Sequence, residues 1–133
     1  MNDNETYTGG CLCGTLRYEA SGEPAYAAYC YCGDCRKASG SGFIPFMRFP
    51  ASALRIKGET RKIATRSARG GGAVRSTCAV CGSLVFGGEC GKDDWHTIYP
   101  GSLDDPSRFH PTTAIFTRNR PAWVVITPKP EGL

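Results

Sequence analysis

The residues of this chain best able to do chemistry are its cysteines, eight in 133 positions, and their spacing sorts them into groups. Cys11 and Cys13 form a C-x-C pair, Cys30, Cys32 and Cys35 a C-x-C-x-x-C triplet, Cys78 and Cys81 a C-x-x-C pair, and Cys90 stands by itself. "CAVCGS" has the form of a zinc knuckle. Two residues between the thiolates let the chain turn tightly enough for both sulfurs to reach one ion at about 2.3 Å, and the glycine after the second cysteine permits the backbone geometry. "GGCLCG", flanked by glycines, can bend around the same ion, so Cys11, Cys13, Cys78 and Cys81 together make a closed four-thiolate site. Such a centre is redox-inert and structural, tying the N-terminal strand to a hairpin far along the chain. A thioredoxin-like dithiol would need a βαβ context, which the sequence lacks.

The triplet leaves two readings open. Closed by Cys90 of the glycine-flanked "GGECGK", or by His96 or His110, it is a second structural staple; left with three protein ligands, it keeps one position free, which is how catalytic zinc is held. Three thiolates on a divalent zinc leave a net charge of about −1, so a bound water is less acidified than on a three-histidine site, where its pKa falls to about 7. A soft, thiolate-rich zinc suits another sulfur, which points to a thiol substrate held for attack on, or release from, an electrophilic carbon. Arg36 and Lys37, directly after Cys35, are candidates to offset the negative charge and pair a substrate carboxylate.

The elements that must position these cysteines read mainly as strands. "TLRYEA" alternates Leu16, Tyr18 and Ala20 against Thr15, Arg17 and Glu19, and "FIPFMRF" is rich in aromatic and branched residues, although Pro45 assigns it to an edge or a bulge. Further short strands are expected at "LRIK", "RKIAT", "SLVFG", "WHTIYPG" and "AWVVIT", with turn residues between them. The helical candidate is a turn or two from Asp34 to Ser39. The pattern predicts a small sandwich or open barrel of twisted sheets, whose modest core metal would help to hold.

The composition, with 41% hydrophobic and 21% charged residues and no apolar run of bilayer-spanning length, excludes general disorder and argues against a membrane protein. One domain is expected over residues 1–133, with an ordered core from about 6 to 127 and "TPKPEGL" as an unstructured end. The N-terminus has no secretory pattern, so the expected compartment is the cytoplasm, where cysteines stay reduced and bind metal rather than form disulfides. The net charge is +4, with Arg55, Lys57, Arg61, Lys62, Arg66, Arg69 and Arg75 lying close in sequence to Glu59; this run either faces an anion or keeps a twisted strand pair solvated. The glycine run at Arg69 to Gly72 lacks the Lys-Ser/Thr ending of a phosphate loop and reads as a hairpin loop.

Taken together, "GGCLCGTLRYEA", "CYCGDCRKASGS", "CAVCGS" and "GSLDDP" resemble the glutathione-dependent formaldehyde-activating enzyme family, which also takes in centromere protein V. The resemblance runs from about Gly9 to Trp123. It implies an Mss4-like fold of packed β-sheets, a structural zinc on Cys11, Cys13, Cys78 and Cys81, and a second, catalytic-type zinc on Cys30, Cys32 and Cys35. It also implies the joining of glutathione to formaldehyde as S-hydroxymethylglutathione, a reversible carbon-sulfur lyase reaction. The chain departs from the family's usual pattern at Tyr31, where a histidine commonly stands; a tyrosine, with a pKa near 10, is a poorer proton carrier at neutral pH. Two readings from different classes follow. The first is a zinc-dependent lyase acting on glutathione and formaldehyde or a related aldehyde. The second is a non-enzymatic zinc module binding nucleic acid or protein, against which stand the low net charge and the absence of aromatics interleaved with the basic run.

Overall fold

The computed structural model describes residues 6–67 and 70–125. Along the chain run β1 (Thr6–Gly10), β2 (Arg17–Ser21), β3 (Tyr26–Cys30), α1 (Gly33–Ser39), β4 (Ile44–Pro50), β5 (Leu54–Lys57), β6 (Thr60–Arg66), β7 (Gly72–Cys78), β8 (Leu84–Gly87), β9 (Trp95–Ile98) and β10 (Thr113–Ile115). They form a three-stranded sheet, β1-β2-β5, and a seven-stranded sheet, β10-β3-β4-β9-β8-β7-β6. The expected mainly β architecture of packed sheets with little helix is the one observed. Every neighbouring pair is antiparallel except β10 with β3, which is parallel.

Side-chain alternation decides what faces what. On β2, Tyr18 and Ala20 are buried while Arg17, Glu19 and Ser21 are exposed, so the three-stranded sheet presents one apolar face. That face meets Met47, Phe49, Phe86 and Ile98 of the seven-stranded sheet in the principal core, with Tyr7 edge-on to Phe49 at 5.5 Å between ring centres. Removing a ring from such a core costs about 3–5 kcal/mol. The other face of the large sheet carries a second cluster of Ala28, Cys30, Ile44 and Phe46, with Tyr99 and Ile115 packed against it. The "GSLDDP" segment latches onto the small sheet: Arg17 pairs with Asp104, Thr8 Oγ1 donates to Asp104 Oδ2 at 2.8 Å, and the Tyr18 and Ser102 hydroxyls lie 2.8 Å apart.

Four expectations change. Pro45 does not push β4 to an edge: β4 lies between β3 and β9, but its pairing with β9 covers Met47 to Pro50, so Pro45 needs to satisfy only the β3 side. "AWVVIT" is not a strand over 122–125, where Val124 is buried beside Gly42; Ile126 and Thr127 lie outside the described residues. The "WHTIYPG" strand stops at Ile98, and Pro100 opens a 3₁₀ turn, Pro100–Ser102. The basic run is divided, with Arg55 and Lys57 on the small sheet and Arg61, Lys62, Arg66 and Arg75 on the β6–β7 hairpin. Arg69 and the tail "TPKPEGL" fall outside the described residues.

Candidate metal centres

β1 ends at Gly10, and the turn that follows brings Cys11 and Cys13 toward the far end of β7, where Cys78 is the last strand residue and Cys81 lies in the next turn. The four sulfurs lie within 4.8 Å of one another, with Cys11 to Cys13 at 3.6 Å and Cys13 to Cys78 at 3.7 Å. Four thiolates placed tetrahedrally at bonds of about 2.3 Å are about 3.8 Å apart, so this donor set fits a zinc ion. The knuckle is formed by backbone donors: Val80 N and Cys81 N point at the Cys78 sulfur at 3.3 and 3.4 Å. Gly82, at φ +78°, takes the left-handed turn that returns the chain to β8.

Two hydroxyls join this cluster that cysteine spacing did not reveal. Thr15 Oγ1 lies 3.1 Å from the Cys13 sulfur and 3.3 Å from that of Cys78, and Ser83 Oγ lies 3.1 Å from the Cys81 sulfur. The Ser83 hydroxyl and backbone hold the Cys81 thiol down to about 5, a thiolate at neutral pH. The available signal was the Ser or Thr two positions after a cysteine in "CGT" and "CGS".

The second set is built differently. Cys30 ends β3 and is buried, Cys32 is the N-cap of α1, and Cys35 lies in the helix. Cys32 Sγ accepts from Cys35 N at 3.3 Å, as an N-cap does, and the Cys35 and Cys30 sulfurs are 3.3 Å apart. All three sulfurs lie within 4.8 Å of one another. The Cys30 sulfur, then burial and the Cys32 sulfur, push the Cys35 thiol far up, because three crowded thiols resist joint ionisation; a divalent cation is the partner such a donor set suits. Cys90 and His110 are exposed, and neither belongs to a metal-capable group among the described residues. His96 is buried on the opposite face of the sheet, its Nδ1 3.2 Å from Gly87 O and its ring edge-on to Phe86.

The triplet opens onto a cleft of about 160 Å³ bordered by Cys30, Cys35, Ile44, Phe46, Arg48, Thr97, Tyr99 and Ile115. Arg36 and Lys37, the sequence candidates for a substrate carboxylate, occupy the last turn of α1 and do not border this cleft. Their charges there complement the helix C-terminus. Arg48, which β4 delivers two residues beyond Phe46, is the cation that does. Burial pushes the Tyr99 phenol up to about 12, against the pull of the Arg75 guanidinium beside it. Tyr31 turns away from solvent altogether: it is fully buried, its ring lies 5.6 Å from that of Phe43, and its hydroxyl has no hydrogen-bond partner among the described residues. Burial raises its pKa.

Among solved structures, the chain is similar to a Rhodobacter sphaeroides protein determined by crystallography as a structural-genomics target. The identity is 19%, the match covers 80% of this chain and 98% of that one, and the TM-score is 0.57, a likeness of fold. No curated protein matches the chain. The sequence pattern described as "Glutathione-dependent formaldehyde-activating enzyme" matches residues 6–119. With the three cysteine groups in their order and the fold that assembles them, the chain belongs to the glutathione-dependent formaldehyde-activating enzyme family.

Proposed function

We propose that the protein is a zinc-dependent carbon-sulfur lyase that joins glutathione to formaldehyde or a related aldehyde and releases it again. The observation that carries this reading is that two of the triplet's cysteines, Cys30 and Cys35, border an open cleft. Cys11, Cys13, Cys78 and Cys81 would hold a structural zinc, and Cys30, Cys32 and Cys35 a second one. When bound by three thiolates, the second ion supplies a soft Lewis acid that prefers a thiolate to a water. The chain's own contribution is to hold the reactants. Ile44, Phe46 and Ile115 give the cleft an apolar wall that limits water around a small aldehyde. Thr97 and Tyr99 offer hydroxyl groups to a carbonyl oxygen that gains charge as the carbon-sulfur bond forms. The thiol sulfur bonds to the aldehyde carbon, the carbonyl π pair moves to oxygen, and the proton lost from sulfur ends on that oxygen; the reverse sequence releases both. Buried Tyr31 lies outside the residues bordering this path, so the reaction needs no group from the position where the family commonly has histidine.

Cysteines grouped so as to hold metal suit a reducing compartment, and the cytoplasm is the location we assign. Among the described residues no helix is long and apolar enough to cross a membrane. The test is exchange NMR on glutathione and formaldehyde with the zinc-loaded protein. Adduct exchange should accelerate at least about tenfold over the uncatalysed rate, an effect of about 1.4 kcal/mol on the barrier or more. Exchange at the uncatalysed rate with zinc bound would reject the assignment.

A further inference from the structure

β4 runs away from the three-sulfur cluster and carries a cation with it. Ile44 pairs in register with Cys30, and Phe46 and Arg48 follow at alternate positions, so all three belong to the face of the second core cluster. From Ile44 to Arg48 the strand advances roughly 14 Å. Arg48 nonetheless borders the same cleft as Cys30 and Cys35. An arginine side chain leaning back along the strand covers about half of that advance, roughly 7 Å. A similar span is left between the guanidinium and the sulfurs.

Among the described residues, Arg48 is the one charged residue that borders this cleft. Its partners on the neighbouring strands are neutral, Tyr26 on β3 and Thr97 on β9. Arg48 is exposed, and no Asp or Glu among the described residues pairs with it. A guanidinium without a carboxylate, bordering a cleft that holds thiols, is placed to take a carboxylate from a ligand. Charge points the same way. A three-thiolate set with one divalent cation is already negative, so an incoming thiolate is repelled unless fixed positive charge lies nearby.

Spacing decides which ligand. In a short mercapto acid the carboxylate lies within about 4 Å of the sulfur, whereas in an extended cysteinyl peptide a terminal carboxylate lies roughly 7 to 10 Å away. The second matches the span from the sulfurs to Arg48. The cleft, of about 160 Å³, is smaller than the roughly 300–1,000 Å³ of sites that enclose a ligand. It therefore holds the thiol arm and one carboxylate, and leaves the rest of a peptide in solvent.

We infer that Arg48 is the specificity-determining residue of this site, taking one carboxylate set a peptide's length from the sulfur and so selecting peptide thiols over short mercapto acids and thiols without carboxylates. This role rests on the proposed binding of a thiol at the triplet, and it falls to Arg48 in place of Arg36 and Lys37.

The test titrates the full chain with glutathione, its diethyl ester, 3-mercaptopropionate and 2-mercaptoethanol. Visible absorption of the cobalt(II)-loaded chain reports sulfur coordination, and amide NMR shifts of the zinc-loaded chain report contact along β4. Glutathione should bind at least about tenfold more tightly than the diester, as a charge-assisted guanidinium-carboxylate pair requires. 3-Mercaptopropionate, whose carboxylate stops short of Arg48, should bind within about twofold of 2-mercaptoethanol. Arg48→Met should bring glutathione to within about twofold of its diester and leave 2-mercaptoethanol as in wild type, which also shows that the variant is folded and metal-loaded. Equal binding of acid and diester, glutathione binding unchanged by Arg48→Met, or a gain for 3-mercaptopropionate as large as that for glutathione overturns the assignment. A cobalt spectrum that still responds to every thiol then leaves the thiol reading standing. Arg48-dependent amide shifts with glutathione but no cobalt response to any thiol would support Arg48 as the carboxylate site and sink the thiol reading; no response in either measurement overturns both.

Discussion

The two cysteine clusters use the same ligand and differ in what surrounds it. The four-sulfur cluster sits where a turn after the small sheet meets the end of β7 in the large one, and its polar neighbours, Thr15, Ser83 and backbone N–H groups, point at the sulfurs themselves. The three-sulfur cluster joins β3 to α1 within one layer, and the polar groups near it, Arg48, Thr97 and Tyr99, border an open cleft. On the proposed reading, the set whose surroundings serve the sulfurs binds the fold together, whereas the set whose surroundings face open space meets a ligand.

Substitutions on either side should separate the two roles. The largest effect is expected at Cys78, the buried sulfur of the four-fold set. Cys78→Ser should remove one zinc and cost several kcal/mol of stability, read as a fall of more than about 10 °C in thermal melting, because binding energy at a structural site is folding energy. Cys32→Ser should reverse the pattern: adduct exchange falls at least about a hundredfold while the melting temperature shifts by only a few degrees. A variant at Cys32 that unfolds, or one at Cys78 that melts like wild type, would erase the distinction.

Smaller effects sharpen it. Tyr31→Phe removes a buried hydroxyl without a partner, so it should be neutral or stabilising by about 1 kcal/mol in denaturant unfolding and leave exchange within about twofold. A loss of activity greater than tenfold at unchanged stability would instead bring Tyr31 into the reaction. The smallest effect concerns the latch to the small sheet. Hydrogen bonds from Arg17 and Thr8 hold the Asp104 carboxyl down to about 2. A depressed acid contributes stability that is present above its unfolded pKa, about 4, and is lost as the pH falls through its folded value near 2. Both partners are largely exposed, so solvent screening keeps the contribution below about 1 kcal/mol. Asp104→Asn should cost up to about 1 kcal/mol at pH 7, flatten the acid limb of the stability curve between about pH 4 and pH 2, and match wild type below about pH 2.

Local features of this molecule are legible in its sequence and non-local ones are not. Cysteine spacing carried both metal-capable groups, because each half-site is a turn of a few residues, and the alternation of Tyr18 and Ala20 marked β2 as half-buried. The sequence also points to α1 near its position, where Cys32 caps it and Gly40 ends it in the left-handed conformation. Strands β1, β3, β7 and β10 do not show in the sequence: "TYTGG" and "GAVRSTC" carry glycine and polar residues, three of the five residues of "YAAYC" are alanine or cysteine, and "TAI" is too short to show a period. Their pairings, not their propensities, make them strands. The cleft was hidden for the same reason. Arg36 and Lys37 are neighbours of Cys35 in the chain, but a helix carries them into its last turn; Arg48 and Tyr99 lie far along the chain and arrive by register. The parity of Ile44, Phe46 and Arg48 was the one local hint.

Zinc stoichiometry by metal analysis tests the central claim, one closed four-thiolate staple and one open three-thiolate site, most directly. Wild type should carry two zinc ions per chain, Cys32→Ser one and Cys90→Ser two. A single zinc in wild type, or the loss of one on changing Cys90, would contradict the account.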